Sequence, residues 1–219
     1  MMSDPLAVAR RAAEFQQWAD ERGIGRDVDD AIQARSRLME GDPVTDEKRT
    51  PLLCLDIDGT VRQGKDDALG RFVNGPDDVV VFPEAIEQMS RWQRRGGRIL
   101  GVSNQGGIAL GYMTMSIAMA AMLETNRQAL NLFDKIVFCR HHPDASDPEM
   151  ARCWCRKPSP GLIVEAALEM ARDHNEIYPQ YMGLMVGDRP EDEECARLAG
   201  LPFMWASDWR NGKEAVTDE

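Results

Sequence analysis

The sequence has no run of about 18 consecutive apolar residues, so no membrane-spanning helix is expected. Its first residues, MMSDPLAVARRAAEF, mix acidic and basic groups and lack the apolar stretch and small-residue cleavage pattern of a secretory leader. The cytoplasm is therefore the expected compartment. Positive charge is also scarce. Against 37 Asp and Glu stand 26 Lys and Arg, a formal net charge of -11, and non-specific affinity for nucleic acid comes mainly from basic side chains releasing counterions. Nucleic-acid binding is disfavoured on that count, while a local basic groove stays compatible with it. The five cysteines are odd in number and unevenly placed: Cys54 and Cys195 stand alone, and Cys139, Cys153 and Cys155 lie close together. That pattern suggests a metal rather than a disulfide framework. Internal repeats and low-complexity tracts are absent.

What is present is ordinary globular composition, 43% hydrophobic and 29% charged, in a length of 219 residues that suits one core with a small appendage. Residues 5–22 and 27–40 have helical spacing, and the polar stretch from Gly41 through Thr50 reads as a linker. Residues 1–50 thus form an N-terminal helical extension, packed on the core or used for docking or dimerisation, and residues 51–219 form the main domain. Within 1–50, eight Lys and Arg stand against eleven Asp and Glu, so the extension is not a basic arm. From Pro51 onward strands and helices alternate: strands at Leu52–Asp56, Ile99–Ser103, Ile136–Phe138, Leu184–Val186 and from Phe203, with helices near 83–95, 114–130, 160–173 and 191–199. This rhythm predicts an α/β fold with a parallel sheet flanked by helices.

Chemistry gathers at the strand ends. Leu53-Cys54-Leu55-Asp56-Ile57-Asp58-Gly59-Thr60 runs a hydrophobic strand into two carboxylates that repel each other and call for a cation. Magnesium, a hard ion that takes carboxylate oxygens, suits them. A second strand, Leu184–Val186, ends in Gly187-Asp188-Arg189-Pro190-Glu191-Asp192, and a third ends in Ser103-Asn104-Gln105-Gly106-Gly107, a hydroxyl, two amides and pliant backbone fit for phosphate oxygens. Arg156-Lys157-Pro158 precedes a helix and places a lysine able to neutralise a transferring phosphoryl group.

In their order, Asp56/Asp58/Thr60, Ser103, Lys157 and Asp188/Asp192 resemble the four motifs of the haloacid dehalogenase superfamily, over residues 52–206. The resemblance implies a doubly wound, Rossmann-like sheet and a phosphatase that uses Asp56 as nucleophile, Asp58 as general acid and then base, and Lys157 to offset charge. It further implies that Thr60, Ser103 and Asn104 face the phosphoryl group. Magnesium would be held by Asp56, the backbone carbonyl of Asp58, and Asp188, with Asp192 supporting from behind. No insertion large enough for a lid separates Ser103 from Lys157, so a large cap domain is not expected.

Cys139-Arg140-His141 and Cys153-Trp154-Cys155 bracket a polar loop, and three thiolates with one imidazole make a tetrahedral zinc set. By spacing alone either His141 or His142 could be the fourth ligand. Cys155 precedes Lys157 by two residues, so a structural zinc in the 139–155 loop would position the lysine. The combination resembles the superfamily branch of heptose bisphosphate and histidinol phosphate phosphatases, which selects His141 and makes Arg156 a substrate-binding candidate. The expected substrate is a small phosphorylated sugar or related metabolite. The alternatives are a polynucleotide 3'-phosphatase and a non-catalytic, zinc-stabilised binding module. Oligomeric state is not legible here.

Overall fold

The computed structural model describes residues 48–66 and 72–213. The helices expected within 5–40, and the linker up to residue 47, lie outside the described residues.

Strand β1 (Lys48–Arg49) leads into β2 (Leu52–Asp56), a hairpin of β3 (Arg62–Gly64) and β4 (Val79–Val81), and helix α1 (Pro83–Arg94). Next come β5 (Arg98–Asn104), α2 (Met115–Gln128), β6 (Lys135–Cys139) and the short α3 (Pro148–Ala151). Helix α4 (Gly161–His174), β7 (Glu176–Ile177), β8 (Leu184–Gly187), α5 (Pro190–Ala199), β9 (Phe203–Trp205) and α6 (Ala206–Arg210) complete the order. Helix punctuation follows local chemistry. Pro83 and Pro190 occupy first-turn positions where no amide hydrogen is needed, Thr114 caps α2 by accepting from the Ile117 amide, and α5 ends at Gly200 in the left-handed region.

Five strands form one parallel sheet in the order β6-β5-β2-β8-β9. From β2 the chain moves out to β5 and β6 on one side, then returns to β8 and β9 on the other. The switch point falls at β2, and the carboxyl ends of strands beside such a point are where open α/β sheets bind ligands. Both sheet faces are covered, which is why β2 reads as an unbroken apolar run. Its side chains still alternate. Leu53 and Leu55 join Ala85, Met89, Ala121, Met122 and Trp209 from α1, α2 and α6, whereas Leu52 and Cys54 pack with Ile163, Ala167, Met170 and Ala196 from α4 and α5.

The hairpin β3–β4 was not anticipated, because its loop is rich in glycine and aspartate. It is the only strand structure between β2 and α1 among the described residues, so no large cap stands there. No helix among the described residues is long and apolar enough to cross a membrane.

At the amino-terminal edge of the sheet, β1 pairs with β7, and Glu176 takes Lys48 Nζ at 3.1 Å and Arg98 Nε at 3.0 Å. Burial pushes the Glu176 carboxyl up, but Arg98 and Lys48 outweigh it and bring it from 4.5 to about 2. A carboxyl depressed on folding stabilises the fold above its unfolded value and loses that contribution as pH falls toward the folded one. Glu176→Gln should therefore lower the thermal midpoint near pH 7 by roughly 3–6 °C, for the loss of charge-assisted hydrogen bonds in a domain of this size. The gap to the parent protein should close between about pH 4.5 and pH 2. Calorimetry across that range checks it, and a gap that stays constant would exclude the ion pairs as its source.

Candidate active site

Asp56 ends β2 with only 6% of its surface exposed. The buried Lys157 ammonium bonds to Asp56 Oδ1, lies 2.7 Å from Asp192 Oδ1 and donates to the Val102 carbonyl at 3.3 Å. Burial opposes the lysine charge, but Asp56 and Asp192 together push its pKa upward, so the ammonium form is secured. Burial likewise pushes the Asp56 carboxyl up, to about 7, with Lys157 pulling it back. The other Asp56 oxygen, Oδ2, is buried and has no hydrogen-bond partner.

Carboxylate oxygens of Asp56, Asp188 and Asp192 lie within 4.8 Å of one another. Asp192 sets Oδ1 in an ion pair with Lys157, although that buried oxygen makes no hydrogen bond, and accepts the Asp188 and Arg189 amides on Oδ2, at 3.2 and 3.1 Å. Asp56 Oδ2 and the exposed Asp188 carboxyl are then the oxygens left for a cation. Three carboxylates against one ammonium, with two buried carboxylate oxygens lacking a hydrogen bond, fit a hard divalent ion such as magnesium. Gly59 makes the approach possible. Its φ of +88° suits glycine, and a Cβ there would collide with the Asp188 carboxylate.

The Asp58 side chain turns away from that cluster. Its Oδ2 accepts from Ser103 Oγ at 3.0 Å and Gln105 Nε2 at 2.7 Å, and its Oδ1 accepts from Arg62 Nε at 2.8 Å. Ser103 thus spends its hydroxyl proton on Asp58. Asn104 accepts the Lys157 amide at 3.0 Å and donates to the Lys157 carbonyl at 3.1 Å, which fastens the lysine to the end of β5. Thr60 is fully buried, and its hydroxyl has no hydrogen-bond partner.

Two cavities meet over these residues. A small one is lined by Asp56, Asp58, Ser103, Asn104, Lys157 and Asp192 together with Phe72 and Arg189. The other, about 400 Å³, shares Asp58, Phe72 and Arg189 and adds Gln63, Phe82, Asp188 and Arg210. Arg210 lies over the Phe82 ring at 4.3 Å and donates to the Gly59 and Thr60 carbonyls, both at 2.8 Å. Arg189 sits 5.5 Å from the Phe72 ring centre. Arg156, the substrate candidate of the sequence, lines neither cavity; its guanidinium donates to the His141 carbonyl at 3.0 Å.

The cysteine and histidine residues also converge. Cys139 Sγ lies 3.6 Å from Cys153 Sγ and 3.5 Å from His141 Nδ1, and Cys155 Sγ lies 3.3 Å from the same nitrogen. A tetrahedron built on zinc–sulfur bonds of about 2.3 Å has edges of about 3.8 Å, and shorter ones to a nitrogen, so these separations suit one zinc. His142 instead accepts the Asp144 amide on Nδ1. Arg62 and Arg210 are site residues that sequence reasoning did not single out, and Gln105, read there as an amide for phosphate oxygens, donates to Asp58 and Ser103 instead. The four-residue spacing from Asp58 to Arg62 was a signal available for the first.

No family model matches the chain. A probable D-glycero-D-manno-heptose-1,7-bisphosphate 7-phosphatase of Thermoplasma volcanium is 35% identical over 158 residues, covering 69% of this chain and 94% of that protein. A D-glycero-beta-D-manno-heptose-1,7-bisphosphate 7-phosphatase of Mesorhizobium japonicum is 31% identical over 170 residues, 76% of this chain and 72% of that protein. Among solved structures, the D,D-heptose 1,7-bisphosphate phosphatase of B. bronchiseptica, complexed with magnesium and phosphate, matches with a TM-score of 0.53 and 27% identity. The match covers 70% of this chain and 79% of that one.

Proposed function

Because the chain belongs to the haloacid dehalogenase superfamily, among the relatives of heptose bisphosphate phosphatases, we propose that it is a magnesium-dependent phosphomonoesterase acting on a phosphorylated sugar. The observation that carries this reading is the buried Lys157 paired with Asp56 beside Asp58 and Asp188, at the carboxyl ends of adjacent strands.

In the first half-reaction an Asp56 carboxylate oxygen forms a bond to phosphorus as the ester P–O bond breaks, and Asp58 gives its proton to the departing alkoxide. In the second, Asp58 takes a proton from water. That water attacks phosphorus, and the bond to Asp56 breaks to release inorganic phosphate. Splitting one displacement into two lowers each barrier, and proton transfer of this kind is worth about 10²–10⁴-fold. Lys157 holds Asp56 in place and offsets the charge that gathers there. Asp56, Asp188 and the Asp58 carbonyl would hold magnesium, which when bound neutralises phosphoryl charge and favours the ionised nucleophile. Cys139, His141, Cys153 and Cys155 would hold a structural zinc with no position left open. The 400 Å³ cavity beside Asp58 is of ligand size and offers Arg189 and Arg210 to an anionic, hydroxyl-rich leaving group.

The test is phosphate release from heptose bisphosphates, other phosphosugars, histidinol phosphate and a 3'-phosphorylated oligonucleotide, each with magnesium and with chelator. Magnesium-dependent turnover with a phosphosugar at least about tenfold ahead in kcat/KM is expected. Preference for the oligonucleotide, or no release from any ester, would overturn the proposal.

A further inference from the structure

We propose that Arg62 is a positioning residue for this phosphoryl transfer, a buried guanidinium that fixes the Asp58 carboxyl and ties it to helix α2. The inference rests on the reading of Asp58 as the proton donor and acceptor. Arg62 is the largest fully buried side chain of the described residues, at 0% exposure. A cation so placed is costly unless paired, and Asp58 is its only carboxylate partner among the described residues. The pairing is built from two directions. Through the backbone, Arg62 donates its amide to the Ile57 carbonyl at 3.0 Å and accepts from the Gly59 amide at 2.8 Å, closing the turn that carries Asp58. Through the side chain, Nε returns to Asp58 Oδ1 at 2.8 Å, while Nη1 reaches Thr125 Oγ1 at 2.7 Å and the Ala121 carbonyl at 3.0 Å on α2.

Ser103 and Gln105 hold the opposite carboxyl oxygen, so Asp58 is fixed through both oxygens, by β5 on one side and α2 on the other. A rigid guanidinium fork sets a direction that a lysine would not. Displacing a reacting group by about 1 Å can cost on the order of 10²-fold in rate, and that is the size of effect assigned to Arg62.

The experiment compares Arg62→Met, Arg62→Lys and Thr125→Val with the parent protein in magnesium, on an alkyl phosphate and on 4-nitrophenyl phosphate. An alkoxide needs the Asp58 proton to leave, whereas 4-nitrophenolate does not. Hydrolysis of the phosphorylated enzyme needs Asp58 in both cases. For Arg62→Met the expected result is about a 10²-fold fall in alkyl phosphate kcat with KM changed less than about threefold. With the aryl ester, a burst of 4-nitrophenol should precede slow turnover, and Arg62→Lys should restore only part of the rate. Equal losses in the burst and in alkyl turnover, a rise in KM alone, or unchanged kinetics would overturn the assignment. Should Arg62→Met fail to fold, Thr125→Val keeps the ion pair and removes one anchor. It should lower the ratio of alkyl turnover to the aryl burst rate by about three- to tenfold, and an unchanged ratio would overturn the assignment equally. A parent protein inactive on every ester would instead bring down the phosphatase reading itself.

Discussion

Asp56→Asn is expected to lower phosphate release by roughly 10⁴–10⁶-fold, the range seen when a covalent hydrolase loses a member of its nucleophilic machinery. The reason is local. Asp56 is the carboxylate that Lys157 holds at the floor of the small cavity, and its second oxygen is buried without a partner. An amide there is nearly the same size and can still accept from Lys157, so packing is conserved while nucleophilicity is lost. Stability should move the other way. Asp56, Asp188 and Asp192 crowd three carboxylates around one ammonium, and removing one of them relieves repulsion. Without added metal the variant should therefore melt at or above the parent temperature. Magnesium should raise the parent midpoint by linkage, equivalent to about 2.7 kcal/mol at a hundred times Kd, and raise the variant less. Phosphate release and thermal shifts with and without magnesium read both effects. A correctly folded variant retaining more than about 1% of parent turnover would remove Asp56 from the nucleophile role.

Much of this arrangement was legible because the informative signals were local. Strands buried on both faces read as short apolar runs, and in β2, β5 and β8 each run ends at once in Asp56, Ser103 or Asp188, so strand and chemistry were found together. Helices α1, α4 and α5 fall within a residue or two of the stretches 83–95, 160–173 and 191–199 expected from the sequence. What was not legible depends on the direction of a side chain or on distant return of the chain. An arginine after a turn ordinarily lies in solvent. Only the β3–β4 hairpin, packed beneath α2, carries Arg62 inward to Asp58. Arg210 reaches the Gly59 and Thr60 carbonyls from α6, an element the sequence did not reveal, because five residues carry too little periodicity. Spacing likewise could not tell that Ser103 faces Asp58, or that Asn104 is spent on the Lys157 backbone.

Loss of the zinc proposed for the Cys139, His141, Cys153 and Cys155 set is the other change expected to silence the enzyme, although none of these residues lines the two cavities over Asp58. The path runs along the chain. Cys155 stands two residues before Lys157, Arg156 between them is tied to the carbonyl of His141, and Asn104 grips the Lys157 backbone from β5. Lys157 is therefore set by two clamps, one of them the loop that a zinc on these four residues would close. In Cys155→Ser a hydroxyl replaces a thiolate, and structural zinc, worth about 10–16 kcal/mol in small zinc-binding peptides, owes that strength to a complete ligand set. The variant should carry well under one zinc per chain where the parent carries about one. Its amides over 139–157 should exchange faster, and kcat should fall by about 10²-fold or more through misplacement of the ammonium. Because four protein ligands would leave a zinc no open position, turnover of the loaded parent should follow magnesium and be indifferent to further zinc. Elemental analysis, hydrogen exchange and kinetics on the same preparations decide the matter. A parent purified without zinc that is nonetheless fully active would show that the loop holds Lys157 unaided.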